Sequence, residues 1–168
     1  SAVHRQQGAP RVHSSLADRV PARSEASDEL AVVQMDHSFL DDVVFLPVYC
    51  IDKKAGQATV CPTKGVHPFV VAWIDQRLQQ LDVGPCRLRT DQDASVQALA
   101  AKVRDARAPR TVCVSAPVMS HRSLGGAERY HRLIQEQCRV IKSELEERLH
   151  CNLRSEVGFA SWLVRHAA

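Results

Sequence analysis

Three carboxylates in this chain stand where side chains from separate elements could meet. Asp36 and Asp91 each close a run that is typical of a β-strand, and Glu128 follows Gly125-Gly126 at the start of a helical pattern. Two strands and one helix would then deliver three carboxylates to one place. Such a set can hold a pair of divalent metal ions, and a metal pair promotes the cleavage and joining of phosphodiesters.

The two aspartates are weak signals when each is taken separately. The chain has 19 Asp and Glu residues, and aspartate is common where a strand ends and a turn begins. If the two strands are adjacent and parallel, however, both side chains leave the same edge of the sheet, where ligands of open α/β sheets collect. The sequence leaves both interpretations open.

The helix predicted from Ala127 to about His150 has two distinct sides. At about 100° per residue, one side carries the apolar stripe, which consists of Tyr130, Leu133, Ile134, Cys138, Ile141 and Leu145. The opposite side carries Glu128 in line with Arg132, Gln135, Arg139 and Lys142. A solvated face with intrahelical ion pairs would explain this side, and so would a metal-binding carboxylate above cations that contact phosphates.

The elements that must position these acids alternate between strand and helix patterns. Strands are predicted at Leu30–Met35, Val43–Ile51, Gln57–Cys61, Cys86–Thr90 and Thr111–Ser115. Helices are predicted from Pro68, which suits a first helical turn, from the cap Asp93, from Ala127, and over Gly158–Ala168. The order β-β-β-α-β-α-β-α-α predicts an α/β fold, a mixed five-stranded sheet with helices on its faces.

The composition is that of one ordinary globular domain. The 168 residues are 45% apolar and 24% charged, with a net charge of +3, which permits nucleic-acid binding without arguing for it. Residues 1–28 are predicted to form a flexible basic arm, and residues 29–168 the domain. The six cysteines occur singly, as is typical of buried, reduced thiols in an intracellular protein. No stretch suits a membrane span or a secretory signal.

Taken together, the three acidic segments resemble the three blocks of the retroviral and retrotransposon integrase catalytic core. The blocks are Val33–Asp36, Leu88–Gln92 and Ser123–Arg129. The three acids are separated by 55 and then 37 residues, which are usual spacings in that family. The Gly-x-x-Glu-Arg pattern in the third block is the most specific part of the resemblance.

The resemblance implies a ribonuclease H-like fold and metal-dependent polynucleotidyl transfer, in which DNA ends are processed and joined to a target duplex. Asp36, Asp91 and Glu128 match the catalytic, metal-binding acids, with Asp93 as an alternative ligand. They would hold two Mg²⁺ or Mn²⁺ ions that activate water or a DNA 3′-hydroxyl. Contacts with DNA are expected from Arg122, Arg129, Arg132, Gln135, Arg139 and Lys142. The expected partners are DNA and further copies of the chain in a homo-oligomer, with no membrane and no small-molecule substrate, and the expected place of action is the nucleus.

Two other functions remain open at this point. A nucleic-acid-binding or oligomerisation domain derived from a transposable element would use the ridge of Arg132, Arg139 and Lys142, while its acids have decayed. A hydrolytic ribonuclease H-like nuclease would benefit from a fourth acid, for which Asp93 is the nearby candidate.

Overall fold

The structure, a computed structural model, describes residues 30–116, 125–153 and 157–168. The predicted arm of residues 1–28 and Arg122 lie outside these ranges. The described residues form six strands and four helices, in the order β1 (Ala31–Met35), β2 (Ser38–Leu40), β3 (Val43–Cys50), β4 (Ala55–Val60), α1 (Pro68–Gln80), β5 (Cys86–Thr90), α2 (Ala94–Ala106), β6 (Thr111–Ser115), α3 (Gly125–Leu149) and α4 (Val157–Ala167). Within this part of the chain, no helix combines the length and the apolar character that crossing a bilayer requires.

All six strands belong to one mixed sheet. β3 pairs antiparallel with β1, β2 and β4, whereas β1, β5 and β6 are parallel neighbours. The α/β fold class predicted from the sequence is therefore confirmed. The sheet has six strands rather than the predicted five, because the three residues of β2 are too few for a strand pattern to stand out in the sequence.

β1 and β2 behave as one long strand that is interrupted in the middle. Met35 lies opposite Val48 and Ser38 lies opposite Phe45, so both strands keep the same register against β3. That register places Pro47 opposite Asp36. Proline has no N–H to donate to the ladder, which explains why the pairing lapses at Asp36 and resumes at Ser38.

The two faces of the sheet carry separate apolar clusters, as alternating side chains in β3 show. Leu46 and Val48 pack with α1 and α2, through residues such as Ile74 and Leu99. Phe45, on the other face, packs with α3 and α4. Because every second side chain of a strand points to the same face, an uninterrupted apolar strand such as β3 requires helices on both sides.

The local signals for α1 and α2 act as the sequence indicates. Pro68 occupies the first turn of α1, where its missing N–H costs no hydrogen bond. Asp93 caps α2 by accepting a 2.8 Å hydrogen bond from the backbone N–H of Ser95. Both helices bury an apolar stripe against the sheet, with Val70, Ile74 and Leu78 on α1.

A buried arginine between α2 and β6 connects the helices α1 and α2 with the strands β5 and β6. The Arg107 side chain is 0% exposed. Its guanidinium donates to Asp75 on α1 at 3.2 Å, to Thr111 Oγ1 on β6 at 3.0 Å, and to the backbone carbonyls of Val83 and Gly84 at 2.9 and 3.2 Å. A buried cation with this many acceptors ties α1, β5, α2 and β6 into one unit.

The cysteines carry free thiols, and most of them are buried. Cys50, Cys61, Cys86 and Cys138 lie in the interior, and burial raises the pKa of Cys61 to about 12. The expectation of buried thiols is confirmed for these four. It is wrong for Cys151, which is exposed just after the end of α3.

Candidate active site

The parallel pairing of β1 with β5 brings the first two acids together. Val33 pairs with Leu88 and Gln34 pairs with Arg89, an offset equal to the separation of Asp36 from Asp91 in the sequence. Continued by two residues, this register places Asp36 beside Asp91 at the carboxyl end of both strands. Ligands of open α/β sheets bind at such an edge.

The electrostatics of Asp36 show that its carboxyl group lies close to other negative charges. Burial and the neighbouring charge of Asp91, with a smaller contribution from Asp93, raise the pKa of Asp36 to about 6. A hydrogen bond from the His37 backbone N–H and the cation of Lys64 oppose this rise. The result is a carboxylate whose ionised form is destabilised and which a cation would stabilise.

Asp91 and Asp93 take different roles in the turn between β5 and α2. Asp91 Oδ1 accepts from the backbone N–H of Asp93 at 2.9 Å. Asp93 Oδ1 accepts from Ser95 N and Oγ at 2.8 and 2.7 Å, and Asp93 Oδ2 accepts from Lys64 Nζ at 2.8 Å. Lys64 and Ser95 hold the pKa of Asp93 well below its usual range. Asp93 is therefore already engaged in capping α2 and in an ion pair.

His37 lies in the same acidic neighbourhood, and sequence reasoning missed it. The residue is only 6% exposed, and its Nδ1 lies 3.4 Å from Ser95 Oγ. Its Nε2 is buried and has no hydrogen-bond partner among the described residues. Burial, together with Lys64, lowers the pKa of His37. The sequence signal that could have identified His37 is its position directly after Asp36, a candidate metal ligand.

The start of α3 is attached to β1 by one buried side chain. Gln34 is 1% exposed, and its Oε1 accepts a 2.8 Å hydrogen bond from the backbone N–H of Ala127. A Cβ on Gly126 would lie 2.9 Å from that oxygen and 3.2 Å from the Tyr49 ring. The absence of a side chain at this position allows the helix to approach the sheet, and it sets Glu128 one residue beyond a fixed backbone N–H.

Glu128 itself is exposed in the first turn of α3. The positive end of the helix dipole stabilises an acid at this place, and the charge of Glu128 raises the pKa of His131 against a larger lowering by burial. Among the residues that the structure describes, no three His, Cys, Asp or Glu side chains form a group that could hold a metal ion. Glu128 therefore does not complete a three-ligand cluster with the strand acids.

The polar side of α3 contacts β2 along part of its length. His131 Nε2 is hydrogen bonded to Ser38 Oγ, Gln135 Nε2 donates to the Phe39 carbonyl at 3.0 Å, and Lys142 lies 3.7 Å from Asp41. The sequence placed Gln135 and Lys142 opposite the buried side. They flank the apolar stripe instead, because helix positions near its border reach the adjacent strand.

The remaining predicted DNA contacts on α3 face solvent. Arg129, Arg132 and Arg139 are exposed. Ile134 and Cys138 are buried as predicted, but Leu133, which the sequence placed in the apolar stripe, is 49% exposed. It lies on the opposite border of the stripe from Gln135, too far round the helix to reach the sheet.

The donor chemistry of the strand pair fits a hard divalent cation. Carboxylate oxygens are the ligands that Mg²⁺ and Mn²⁺ prefer. Burial and, after it, repulsion by Asp91 raise the pKa of Asp36, and a nearby cation would stabilise its ionised form against both. Asp36 and Asp91 could therefore hold such an ion, with water or substrate oxygens completing its coordination.

No protein-family profile matches the sequence, and neither does any curated protein. Among solved structures, the chain is similar to the catalytic core domain of BIV integrase in a crystal structure, at 14% sequence identity. The match covers 79% of this chain and 79% of that one, with a TM-score of 0.47. The chemistry assigned to the site therefore depends on the geometry of this chain's own residues.

Proposed function

We propose that this chain is an integrase-type catalytic core, which processes DNA ends and joins them to target DNA by metal-dependent phosphoryl transfer. The pairing of Asp36 with Asp91 at the carboxyl end of two adjacent parallel strands is the observation that supports this function most directly. We assign Mg²⁺ or Mn²⁺, two ions per site, to Asp36, Asp91 and Glu128. DNA and further copies of the chain are the partners in this proposal.

The protein's own residues have distinct tasks in this function. When bound, the metal ions supply the positive charge that activates water or a 3′-hydroxyl and stabilises the leaving oxygen. Asp36 and Asp91 supply two carboxylates that the paired strands hold side by side, and their negative charges repel each other until a cation binds. Gln34 holds the first turn of α3, and with it Glu128, against β1. The exposed cations Arg132 and Arg139 offer binding to the phosphates of a DNA strand.

Metal-dependent processing and joining of DNA ends by the full protein tests this proposal. We expect Asp36→Asn and Glu128→Gln each to lower the rate about a hundredfold or more, because each removes a carboxylate that would hold the metal ions. Matched controls are Asp42→Asn, in the β2–β3 turn, and Glu147→Gln, at the far end of α3, both exposed. Equal activity in Asp36→Asn and the unsubstituted protein would refute the proposal.

A second candidate is a DNA-binding domain whose catalytic site has decayed. It is favoured by the exposure of Glu128 and by the engagement of Asp93 with Lys64 and Ser95. Calorimetric titration with Mn²⁺ separates the two functions. Binding that is lost in Asp36→Asn supports the catalytic core, whereas DNA binding without any Asp36-dependent Mn²⁺ binding supports the decayed domain.

A further inference from the structure

A groove of about 460 Å³ lies between the β3–β4 hairpin and the first turns of α3. Tyr49 and Tyr130 form its wall, Lys54 and Arg129 stand at its rim, and Gly126, Leu133 and Ala168 also line it. Its volume falls within the roughly 300–1,000 Å³ that is typical of small-ligand sites. None of the candidate active-site acids lines the groove.

Packing and one hydrogen bond fix the orientation of the two tyrosine rings. The two rings lie 5.3 Å apart between centroids and are inclined by 32°. The Tyr130 hydroxyl donates a 3.0 Å hydrogen bond to the carbonyl of Ala168. A Cβ on Gly56 would come within 2.5 Å of the Tyr130 ring, so glycine lets the hairpin close against it. Both rings remain half-buried, which leaves part of their surface to the groove.

The charged side chains that line the groove are cations. Lys54 and Arg129 are exposed at its rim, and no Asp or Glu occurs among the described residues that line it. Aromatic surface combined with cations and without acids matches a ligand that is both aromatic and anionic. A nucleotide has both properties, with a base that stacks on rings and a phosphate that pairs with cations.

We propose that this groove binds an unstacked nucleotide of a DNA strand, with its base against Tyr49 and Tyr130 and its phosphates at Lys54 and Arg129. The inference deepens the proposed function, on which it rests for the identity of the substrate. Such a subsite would hold a nucleotide that has left the duplex near a processed end.

Binding of a labelled single strand of about ten nucleotides, measured by fluorescence anisotropy in EDTA, tests the groove without the metal site. We expect Lys54→Asn and Arg129→Ala each to weaken binding about fivefold and to reduce the slope of log affinity against log salt by about 0.7. Asparagine suits position 54 because Lys54 has a φ of 51°. Lys102→Ala, an exposed cation on α2, is the matched control and should bind as the unsubstituted protein does.

Changing the DNA tests the tyrosine wall without any risk to folding. A strand of the same length with abasic sites keeps the phosphates, so we expect it to bind about tenfold more weakly to the unsubstituted protein. Equal binding of the two strands would contradict base stacking. Thymidine monophosphate should not displace the strand at equal concentration. If it does, the groove takes free nucleotides and the assignment to a strand is overturned.

The outcome is independent of whether the chain is catalytic. Asp42→Asn, at an exposed acid in the β2–β3 turn, should bind the single strand in EDTA as the unsubstituted protein does, since no metal-dependent step is measured. If the combined Lys54→Asn and Arg129→Ala variant keeps full affinity and the full salt slope, the groove proposal fails. The proposed function could then still stand on the loss of activity in Asp36→Asn.

Discussion

The two halves of the candidate site are held by different kinds of contact. Asp36 and Asp91 follow paired strands, so a ladder of backbone hydrogen bonds and a buried core fix their relative position. Glu128 depends on the start of α3, where the backbone N–H of Ala127 donates to Gln34 Oε1 and Tyr130 packs against Tyr49. The strand half is therefore held by a backbone ladder, whereas the position of the helix half depends on contacts with side chains of the sheet.

The largest expected effect comes from breaking the support of the strand half. Arg107→Ala should lower the free energy of unfolding by about 3–5 kcal/mol, because it leaves Asp75 and several carbonyls without their buried donor. Urea denaturation measures this loss. Arg107→Lys keeps the charge but not the planar fork of donors. Its free energy of unfolding should therefore lie between those of the unsubstituted protein and Arg107→Ala.

Arg104→Ala is the matched control, since Arg104 is exposed on the same helix and pairs with its neighbour Asp105. We expect a change within about 0.5 kcal/mol. Equal losses in the two alanine variants would mean that Arg107 does not anchor the strand half.

Gly126→Ala should displace the helix half alone. Its Cβ would meet Gln34 Oε1 at 2.9 Å and the Tyr49 ring at 3.2 Å, which should cost about 1–3 kcal/mol of stability and lower metal-dependent activity. Gly125→Ala is the control, because a Cβ there meets nothing within 4 Å. If both variants behave alike in urea denaturation and in activity, close approach at Gly126 does not position Glu128.

The pH dependence of stability should report the burial of the Asp36 carboxyl and its repulsion by Asp91. The pKa of Asp36 is raised from 3.8 to about 6 in the folded protein, so ionisation of this carboxyl favours the unfolded chain. Its destabilising contribution grows between about pH 4 and pH 6 and stays constant above that range. With allowance for partial exposure, Asp36→Asn should be about 1–2 kcal/mol more stable than the unsubstituted protein at pH 7.

That gain should shrink to nothing as the pH falls to about 4, which urea denaturation at several pH values measures. Added Mg²⁺ should stabilise the unsubstituted protein but not Asp36→Asn, because the ion binds the folded carboxylate pair. A stability difference that does not change between pH 4 and pH 7 would show that Asp36 has an ordinary pKa.

The smallest effect on folding is expected at the far end of the contact between α3 and β2. Lys142 and Asp41 lie 3.7 Å apart with side chains 27% and 59% exposed. Lys142→Ala should therefore cost about 0.2–1 kcal/mol at low salt and less at high salt. A loss above about 2 kcal/mol would mean that the helix half is held as firmly as the strand half.

Local signals in the sequence were enough for most of the fold. Pro68 and Asp93 each begin their helices as predicted, since a proline ring and an aspartate cap act within one turn. β2 was missed because three residues cannot establish an alternation. Leu133 was misplaced because an ideal helical wheel does not show where the sheet lies relative to the helix.

The candidate site was only partly predictable. Asp36 and Asp91 were selected correctly as neighbours in the fold, because both follow apolar strands. Gln34 and Arg107 were not singled out, although each makes buried hydrogen bonds. A polar residue within an apolar pattern does not reveal its partner, which lies far away in sequence. Whether Glu128 acts with the two aspartates, and whether the chain binds metal or DNA, remain predictions.

The sequence by itself determined the kinds and order of the elements, because periodicity, caps and turn residues act over a few neighbouring positions. Tertiary structure alone decided that β1 and β5 pair with an offset equal to the spacing of Asp36 and Asp91. It also decided that Asp93 pairs with Lys64, and that Gly126 allows α3 to reach Gln34. These features depend on strand register and on contacts between distant segments, which only the packed chain brings together.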